Sequence, residues 1–136
     1  MVKSRFGHLQ INIHPENVGF YKDLFSFLGW DVIYDNPNMV GVGIASGESL
    51  WFGKGIKDLA NDYDGIGVNH IAINVETQGM VDETVAYLQA HGVPALFETP
   101  RHRPEFSMGE GMTYYQVMFE SPDRILFEVV YIGAKA

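Results

Sequence analysis

The sequence predicts an α+β fold made of two βαβββ modules. Residues 7–13 (GHLQINI) and 69–75 (NHIAINV) superpose at an offset of 62, with apolar residues at alternate positions, as in a β-strand. Each strand is followed by apolar residues at helical spacing, and a glycine, Gly29 or Gly92, then ends each helical pattern as a left-handed C-terminal cap would. The shared order of these elements indicates an internal duplication.

The two helices and six further strands complete the predicted modules. The apolar helical stripes comprise four residues in each module: Phe20, Leu24, Phe27 and Leu28, then Val81, Thr84, Val85 and Leu88. Strands are expected at 30–34, 39–45 and 49–52 in the first module and at 94–98, 113–119 and 125–131 in the second. The 136 residues are expected to form a single domain, 1–136, with module 1 at about 4–53, a polar connection at 54–65 and module 2 at about 66–133.

Composition excludes several classes of function. Nine Lys and Arg against 17 Asp and Glu give a net charge of −8, the wrong sign for binding nucleic acid or an anionic membrane surface. The absence of cysteine excludes disulfides, thiolate nucleophiles and zinc–cysteine sites. No segment approaches the roughly 20 apolar residues of a membrane span, and the N-terminus does not have the pattern of a secretory signal. A cytoplasmic location is therefore expected.

The repeated strands place equivalent polar side chains on one face of each sheet. Leu9, Ile11 and Ile13 share the face that a helix would cover, so His8, Gln10 and Asn12 point the other way. His70, Ala72 and Asn74 do the same in the second module. Paired His and Asn, in place of the Lys, Glu and Thr of a solvated face, suggest an enclosed polar cleft.

Glu128 is a lone carboxylate within an apolar strand, where an unpaired charge would cost several kcal/mol by desolvation. Two imidazoles and one carboxylate can bind a divalent ion on one side and leave other coordination positions open. The candidate metal site is therefore His8, His70 and Glu128. In the alternative interpretation each histidine satisfies a backbone group and Glu128 pairs with a buried Arg or Lys.

On these residues and on the hairpin at 119–128 (FESPDRILFE), the chain resembles the vicinal oxygen chelate superfamily, which includes glyoxalases, bleomycin-resistance proteins and extradiol dioxygenases. The resemblance implies that the modules form an open, cleft-containing mixed β-barrel. It also implies one divalent ion, of iron, manganese, zinc or nickel, at His8, His70 and Glu128. A homodimer is expected as well, with Trp51 and Phe106 as candidates for the contact. Ser121 and Arg124 depart from the family's turn and affect its geometry only.

The resemblance leaves the reaction open. It favours an enzyme that acts on a small oxygen-chelating substrate, similar either to the extradiol dioxygenases or to Lewis-acid transferases. Phe52 is expected to align with Glu128, at the position where glyoxalase I enzymes carry a fourth ligand, and phenylalanine cannot bind a metal there. A glyoxalase-type lyase or isomerase, and a metal-free binding protein similar to bleomycin-resistance proteins, remain the alternatives.

Candidate catalytic residues lie in the second module. Extradiol cleavage in the family uses a histidine that is not itself a metal ligand and a tyrosine, and the nearest residues here are His102 and Tyr114 or Tyr115. Tyr114 has the better parity because it precedes Glu128 by an even number of residues, although an ordinary aromatic strand pair is the alternative. The segment 99–111 is predicted to be a loop long enough for a lid. Its basic group, Arg101, His102 and Arg103, could attract a carboxylate or phosphate on a small-molecule substrate, or be a solvated turn.

Overall fold

The structure is a computed structural model that describes all 136 residues, Met1–Ala136. It divides into two compact units, Met1–Ala60 and Asn61–Ala136, called here the first unit and the second unit. The boundary falls within the predicted connection at 54–65. Each unit has the predicted βαβββ order. Neither helix has the length and apolar content that a membrane span requires.

The first unit is a four-stranded mixed sheet with one helix. Its elements are β1 (His8–Ile13), α1 (Val18–Phe27), β2 (Asp31–Asn36), β3 (Met39–Gly43) and β4 (Ser49–Lys54). The strand order is β1-β4-β3-β2, with β1 parallel to β4 and the other pairs antiparallel. Along β1 the predicted alternation holds, since His8, Gln10 and Asn12 are exposed while Ile13 is buried.

The buried stripe of α1 differs from the predicted one. The structure buries Val18, Tyr21, Leu24 and Phe25, whereas Phe27 is exposed. Tyr21 stacks on Phe52 with the ring centroids 4.2 Å apart, and Phe25 also packs on Phe52 at 5.5 Å. Because α1 is apolar on most sides, the stripe is decided by these aromatic contacts, which periodicity alone does not reveal.

The second unit repeats the architecture. Its elements are β5 (Ile71–Asn74), α2 (Gln78–Ala90), β6 (Leu96–His102), β7 (Met112–Glu120) and β8 (Leu126–Ala134), in the strand order β5-β8-β7-β6. α2 buries three of its four predicted stripe residues, Val81, Thr84 and Leu88, while Val85 is partly buried. Gly29 and Gly92 both have positive φ, 85° and 68°, which confirms the two predicted helix caps.

The segment predicted as a loop at 99–111 begins with a strand. β6 extends to His102, and a short 3-10 turn, Pro104–Phe106, follows it. The β6–β7 ladder pairs Leu96 with Met118 and then Arg101 with Gln116. Between these two pairs the chain advances by five residues in β6 and by two in β7. The surplus residues form a bulge with positive φ at Phe97 and Glu98, and the strand then resumes. The prediction of a loop was therefore wrong for residues 99–102.

Candidate functional site

A cavity of about 590 Å³ lies in the second unit, on the sheet face that bears Glu128. Alternate residues of β7 and β8 form its floor. Its lining comprises Tyr63, Asp64, Asn69, His70, Phe97, Arg103, Phe106, Tyr114, Gln116, Met118, Leu126 and Glu128. The lining combines apolar and aromatic walls with few charged groups, as is usual for small-molecule sites.

Glu128 is buried in this floor, with 3% of its surface exposed. The hydroxyl of Tyr114 donates to its Oε1 at 2.8 Å, and Nε2 of Gln116 donates to Oε2. β7 supplies both donors because Tyr114 and Gln116 have the same parity as Met118, the pairing partner of Glu128. The basic side chain that lies within 4 Å of the carboxylate is the imidazole of His70, so the alternative of a buried Arg or Lys partner is not what the structure shows.

His70 directly precedes β5, and Asn69 fixes the orientation of its ring. Nδ1 of His70 lies 2.7 Å from Oδ1 of Asn69, whose amide nitrogen donates to the carbonyl of Tyr63 at 3.1 Å. Since Oδ1 can only accept, Nδ1 is the nitrogen that carries a proton, and in the neutral form of the ring Nε2 has the lone pair. This nitrogen is therefore able to bind a metal.

Nε2 of His70 lies 3.9 Å from Oε1 of Glu128, too far for a hydrogen bond. Two ligands at about 2.1 Å from one ion are separated by at most about 4.2 Å, so this pair fits a shared divalent ion. His8, the third predicted ligand, begins β1 in the first unit and is exposed. Within neither unit do three or more His, Asp or Glu side chains gather as they would around an ion. The participation of His8 stays a prediction.

The two predicted catalytic residues lie on different faces of the second sheet. Tyr114 lines the cavity, and burial together with its hydrogen bond to Glu128 raises its pKa to about 12. His102 pairs with Tyr115 across the β6–β7 ladder, and the two rings are tilted with their centroids 4.5 Å apart; Nδ1 of His102 lies 2.5 Å from Oγ1 of Thr113. The hydroxyl of Tyr115 in turn donates to Asp82 of α2 at 2.6 Å. His102 is thus on the helix side of the sheet and does not line the cavity.

Of the three basic residues at 101–103, Arg103 alone lines the cavity. Its Nε donates to Glu105, its Nη1 donates to Oε1 of Gln116 at 2.9 Å, and its guanidinium lies 4.7 Å from the ring centre of Phe106. These contacts hold the guanidinium in one place. Gln116 therefore connects the cation of Arg103 to the carboxylate of Glu128.

The register of β4 corrects the alignment predicted for Phe52. In the second unit Glu128 pairs with Ala72, whose counterpart at the repeat offset is Gln10, and Gln10 pairs with Trp51. The first-unit counterpart of Glu128 is therefore Trp51. Phe52 lies on the opposite face, fully buried against Tyr21. The position still has no carboxylate, because tryptophan replaces phenylalanine there.

Sequence reasoning missed Gln116 and Phe97. Gln116 had a visible signal, since it is a polar residue in an apolar strand and lies at an even separation from both Tyr114 and Glu128. Phe97 had none, because its place in the cavity wall depends on the bulge in β6.

No protein-family model matches the chain. Among curated proteins, it is similar to the uncharacterized protein YqjT of Bacillus subtilis (strain 168), with 38% identity over 65 residues. Those residues are 48% of this chain and 47% of YqjT, so the chain matches about half the length of this relative.

Solved structures resemble the chain over nearly its full length. A candidate glyoxalase from Bacillus halodurans has a TM-score of 0.76 and 24% identity, with 93% of this chain and 94% of that chain covered. A glyoxalase/bleomycin resistance protein/dioxygenase from Alicyclobacillus acidocaldarius has a TM-score of 0.62 and 16% identity, with 94% and 91% covered.

A third similar structure contains a metal. It is the fosfomycin resistance protein FosX from Listeria monocytogenes, complexed with Mn(II) and 1S,2S-dihydroxypropylphosphonic acid. Its TM-score is 0.65 at 22% identity, with 95% of this chain and 90% of that chain covered. These likenesses confirm the predicted α+β fold and its resemblance to glyoxalase-type proteins.

Proposed function

The chain has the fold of the vicinal oxygen chelate superfamily, and we propose that it is a divalent-metal enzyme acting on a small, oxygen-chelating, anionic substrate. The observation that carries this proposal is the pair formed by Nε2 of His70 and Oε1 of Glu128, 3.9 Å apart in the cavity lining. A lone pair on a neutral imidazole and a buried carboxylate, both facing one space, are the donors that a divalent ion requires.

His8, His70 and Glu128 would hold the ion. When bound, it supplies an electrophile that stabilises negative charge on substrate oxygens. FosX, of the same fold, is solved with Mn(II) and a phosphonic acid, which supports a similar metal and an anionic substrate here. The first reaction to test is therefore Lewis-acid addition to an anionic substrate with manganese, and the second is catechol ring cleavage with ferrous iron.

The other residues of the cavity have separate roles in this proposal. Tyr114 and Gln116 orient the carboxylate of Glu128, and Asn69 orients the imidazole of His70. Tyr114 keeps its proton at neutral pH because its pKa is about 12, so it acts as a hydrogen-bond donor. Arg103 offers a fixed positive charge to the substrate. His102 has no role in this proposal, since it lies on the helix side of the sheet.

Metal content after purification without chelators tests the proposal. We expect about one divalent ion per chain by mass spectrometry of the elements, and loss of most of it in His8→Ala, His70→Ala and Glu128→Gln. His91→Ala and Glu120→Gln are matched controls, because His91 bonds to the carbonyl of Tyr87 and Glu120 accepts from Tyr63. Wild-type protein that binds no divalent ion, or variants that keep it, would contradict the proposal.

A metal-free binding protein is the second candidate function. One observation favours it: each carboxylate oxygen of Glu128 accepts a hydrogen bond from a neutral side chain, Tyr114 or Gln116, and these bonds stabilise the buried charge. This candidate predicts ligand binding that chelators leave unchanged. A screen with catechol, with methylglyoxal and glutathione, and with manganese and an epoxide phosphonate separates the enzymatic alternatives.

A further inference from the structure

Phe97 occupies an unusual backbone conformation in the cavity wall. It and Glu98 are consecutive residues with φ of 57° and 60°, in the left-handed region that favours glycine. Non-glycine side chains are strained in this region, and such strain concentrates at functional sites. The two residues form the bulge where β6 departs from its ladder with β7.

Thr99 holds this bulge in place. Its buried hydroxyl donates to the carbonyl of Leu96 at 2.7 Å and accepts from the backbone N–H of Met118 at 2.9 Å. These bonds join Thr99, which follows the bulge, to Leu96, which precedes it, and to Met118 of β7. The left-handed turn is therefore a fixed part of the second unit.

The result is an aromatic ring that faces the cavity with little to pack against. Phe97 lines the cavity and remains 50% exposed. Phe106, also in the lining, is 53% exposed, although it contacts Tyr114 edge to face at 5.4 Å. Two half-exposed rings in one cavity leave apolar area that a flat ligand can cover.

Arg103 adds a charge beside these rings. Of its five N–H groups, one at Nε bonds to Glu105 and one at Nη1 bonds to Gln116, which leaves three for a ligand. Its counter-ion Glu105 is half exposed and outside the lining, while Asp64, the other Asp or Glu of the lining besides Glu128, lies 3.8 Å from Arg124. The cavity thus offers a planar guanidinium that fits a carboxylate.

From this arrangement we propose that the cavity takes a planar aromatic carboxylate, and that Phe97 is the residue that determines this specificity. The ring of the ligand packs against Phe97 and Phe106, and its carboxylate binds Arg103. This inference rests on the proposed function only in placing the ligand in the same cavity. It requires no metal.

Calorimetric binding to EDTA-treated protein tests the inference with three probes. 1-Naphthoate is flat and anionic, adamantane-1-carboxylate has the same charge on a rounded aliphatic cage, and 1-naphthalenemethanol is flat and neutral. We expect 1-naphthoate to bind at least about fivefold more tightly than either of the others, given the usual strength of aromatic and charge-assisted contacts.

Variants assign that preference to residues. Phe97→Leu should weaken 1-naphthoate about fivefold and leave adamantane-1-carboxylate nearly unchanged, because it removes the ring and keeps apolar bulk. Arg103→Met should weaken both carboxylates and spare the alcohol. Glu98→Gln is the matched control, since it keeps the backbone of the bulge, changes an exposed side chain outside the cavity lining and should leave all three affinities unchanged. Thermal unfolding of each variant verifies its fold.

Equal affinities for the naphthoate and the adamantane probe, or a Phe97→Leu variant that binds both as the wild type does, would overturn the inference. Failure to bind any probe would overturn it too. These outcomes are independent of the metal content, so a protein that binds naphthoate and no ion contradicts the proposed enzyme while supporting the ligand class.

Discussion

The hydroxyl of Tyr114 donates a hydrogen bond of 2.8 Å to Oε1 of Glu128, the same oxygen that lies 3.9 Å from Nε2 of His70. The bond holds the carboxylate on the cavity side and requires Tyr114 to stay protonated. Burial, then the hydrogen bond and the negative charge of Glu128, raise the pKa of Tyr114 to about 12. A tyrosine beside a buried carboxylate is thus a donor at every physiological pH.

Alkaline titration of tyrosine absorbance near 295 nm tests this relationship. Of the seven tyrosines, Tyr114 and Tyr115 should titrate latest, each with a pKa of about 12. Tyr114→Phe should remove one of these two late groups. Glu128→Gln should lower the pKa of Tyr114 and leave that of Tyr115 unchanged, because Tyr115 bonds to Asp82.

The free energy of unfolding should also change with pH, between about pH 10 and pH 12. The pKa values of Tyr114 and Tyr115 in the folded state lie above the unfolded value of about 10. The free energy that these two groups contribute to folding is therefore fully present below pH 10 and is lost as the pH rises towards 12. The free energy of unfolding should fall less steeply above pH 10 in Tyr114→Phe. Identical slopes in the variant and the wild type would show that Tyr114 titrates normally.

Gln116 is expected to contribute to stability through two bonds at once. Its amide accepts from Arg103 and donates to Glu128, and 2% of its surface is exposed. Gln116→Leu leaves a buried carboxylate oxygen with one donor fewer, so we expect a loss of about 1–3 kcal/mol in the free energy of unfolding by urea. Gln89→Leu on the exposed side of α2 is the control and should change it by less than about 0.5 kcal/mol.

The sequence contained enough to place His70 and Glu128 on one face of the second sheet. Strand parity and the repeat predict both, because a two-residue period links face to position without any tertiary information. Parity also favoured Tyr114 over Tyr115, and the structure places Tyr114 beside Glu128.

Two features of the structure, the position of Phe52 and the bulge at Phe97, could not be predicted because they depend on strand register. Aligning Phe52 with Glu128 was wrong by one residue, and a shift of one residue exchanges the faces of a strand. The bulge at Phe97 is equally hidden, because nothing in the residues 96–102 requires two left-handed conformations. Both features depend on which residues pair across neighbouring strands, and packing across the sheet decides that pairing.

We expect a homodimer in solution, as the family resemblance implies, with Phe106 and Trp51 as candidates for the contact. Phe106 is 53% exposed, and Trp51 is partly buried over Gly41. Light scattering at micromolar concentration should give twice the chain mass of 15.2 kDa. Phe106→Ser should weaken association if that ring is part of the contact, and a monomeric wild type would rule the expectation out.

Substitutions at Trp51 and Phe52 test the register correction. Phe52 is fully buried and stacked on Tyr21, so Phe52→Glu places an unpaired charge in the core and should cost more than about 4 kcal/mol, or prevent folding. Trp51 lies over Gly41 on the opposite face and is only partly buried. Trp51→Glu should therefore cost about 2 kcal/mol and fold.

The metal affinity of Trp51→Glu links this register to the proposed site. Because Trp51 is the counterpart of Glu128, the family resemblance implies a fourth metal ligand at this position, and on that basis we expect Trp51→Glu to bind Co(II) about tenfold more tightly, with an altered visible spectrum. Trp51→Gln separates the charge from the loss of the ring and should not show this gain. Native protein should turn over methylglyoxal and glutathione very slowly. Rapid native turnover, together with an unchanged spectrum in Trp51→Glu, would contradict this prediction.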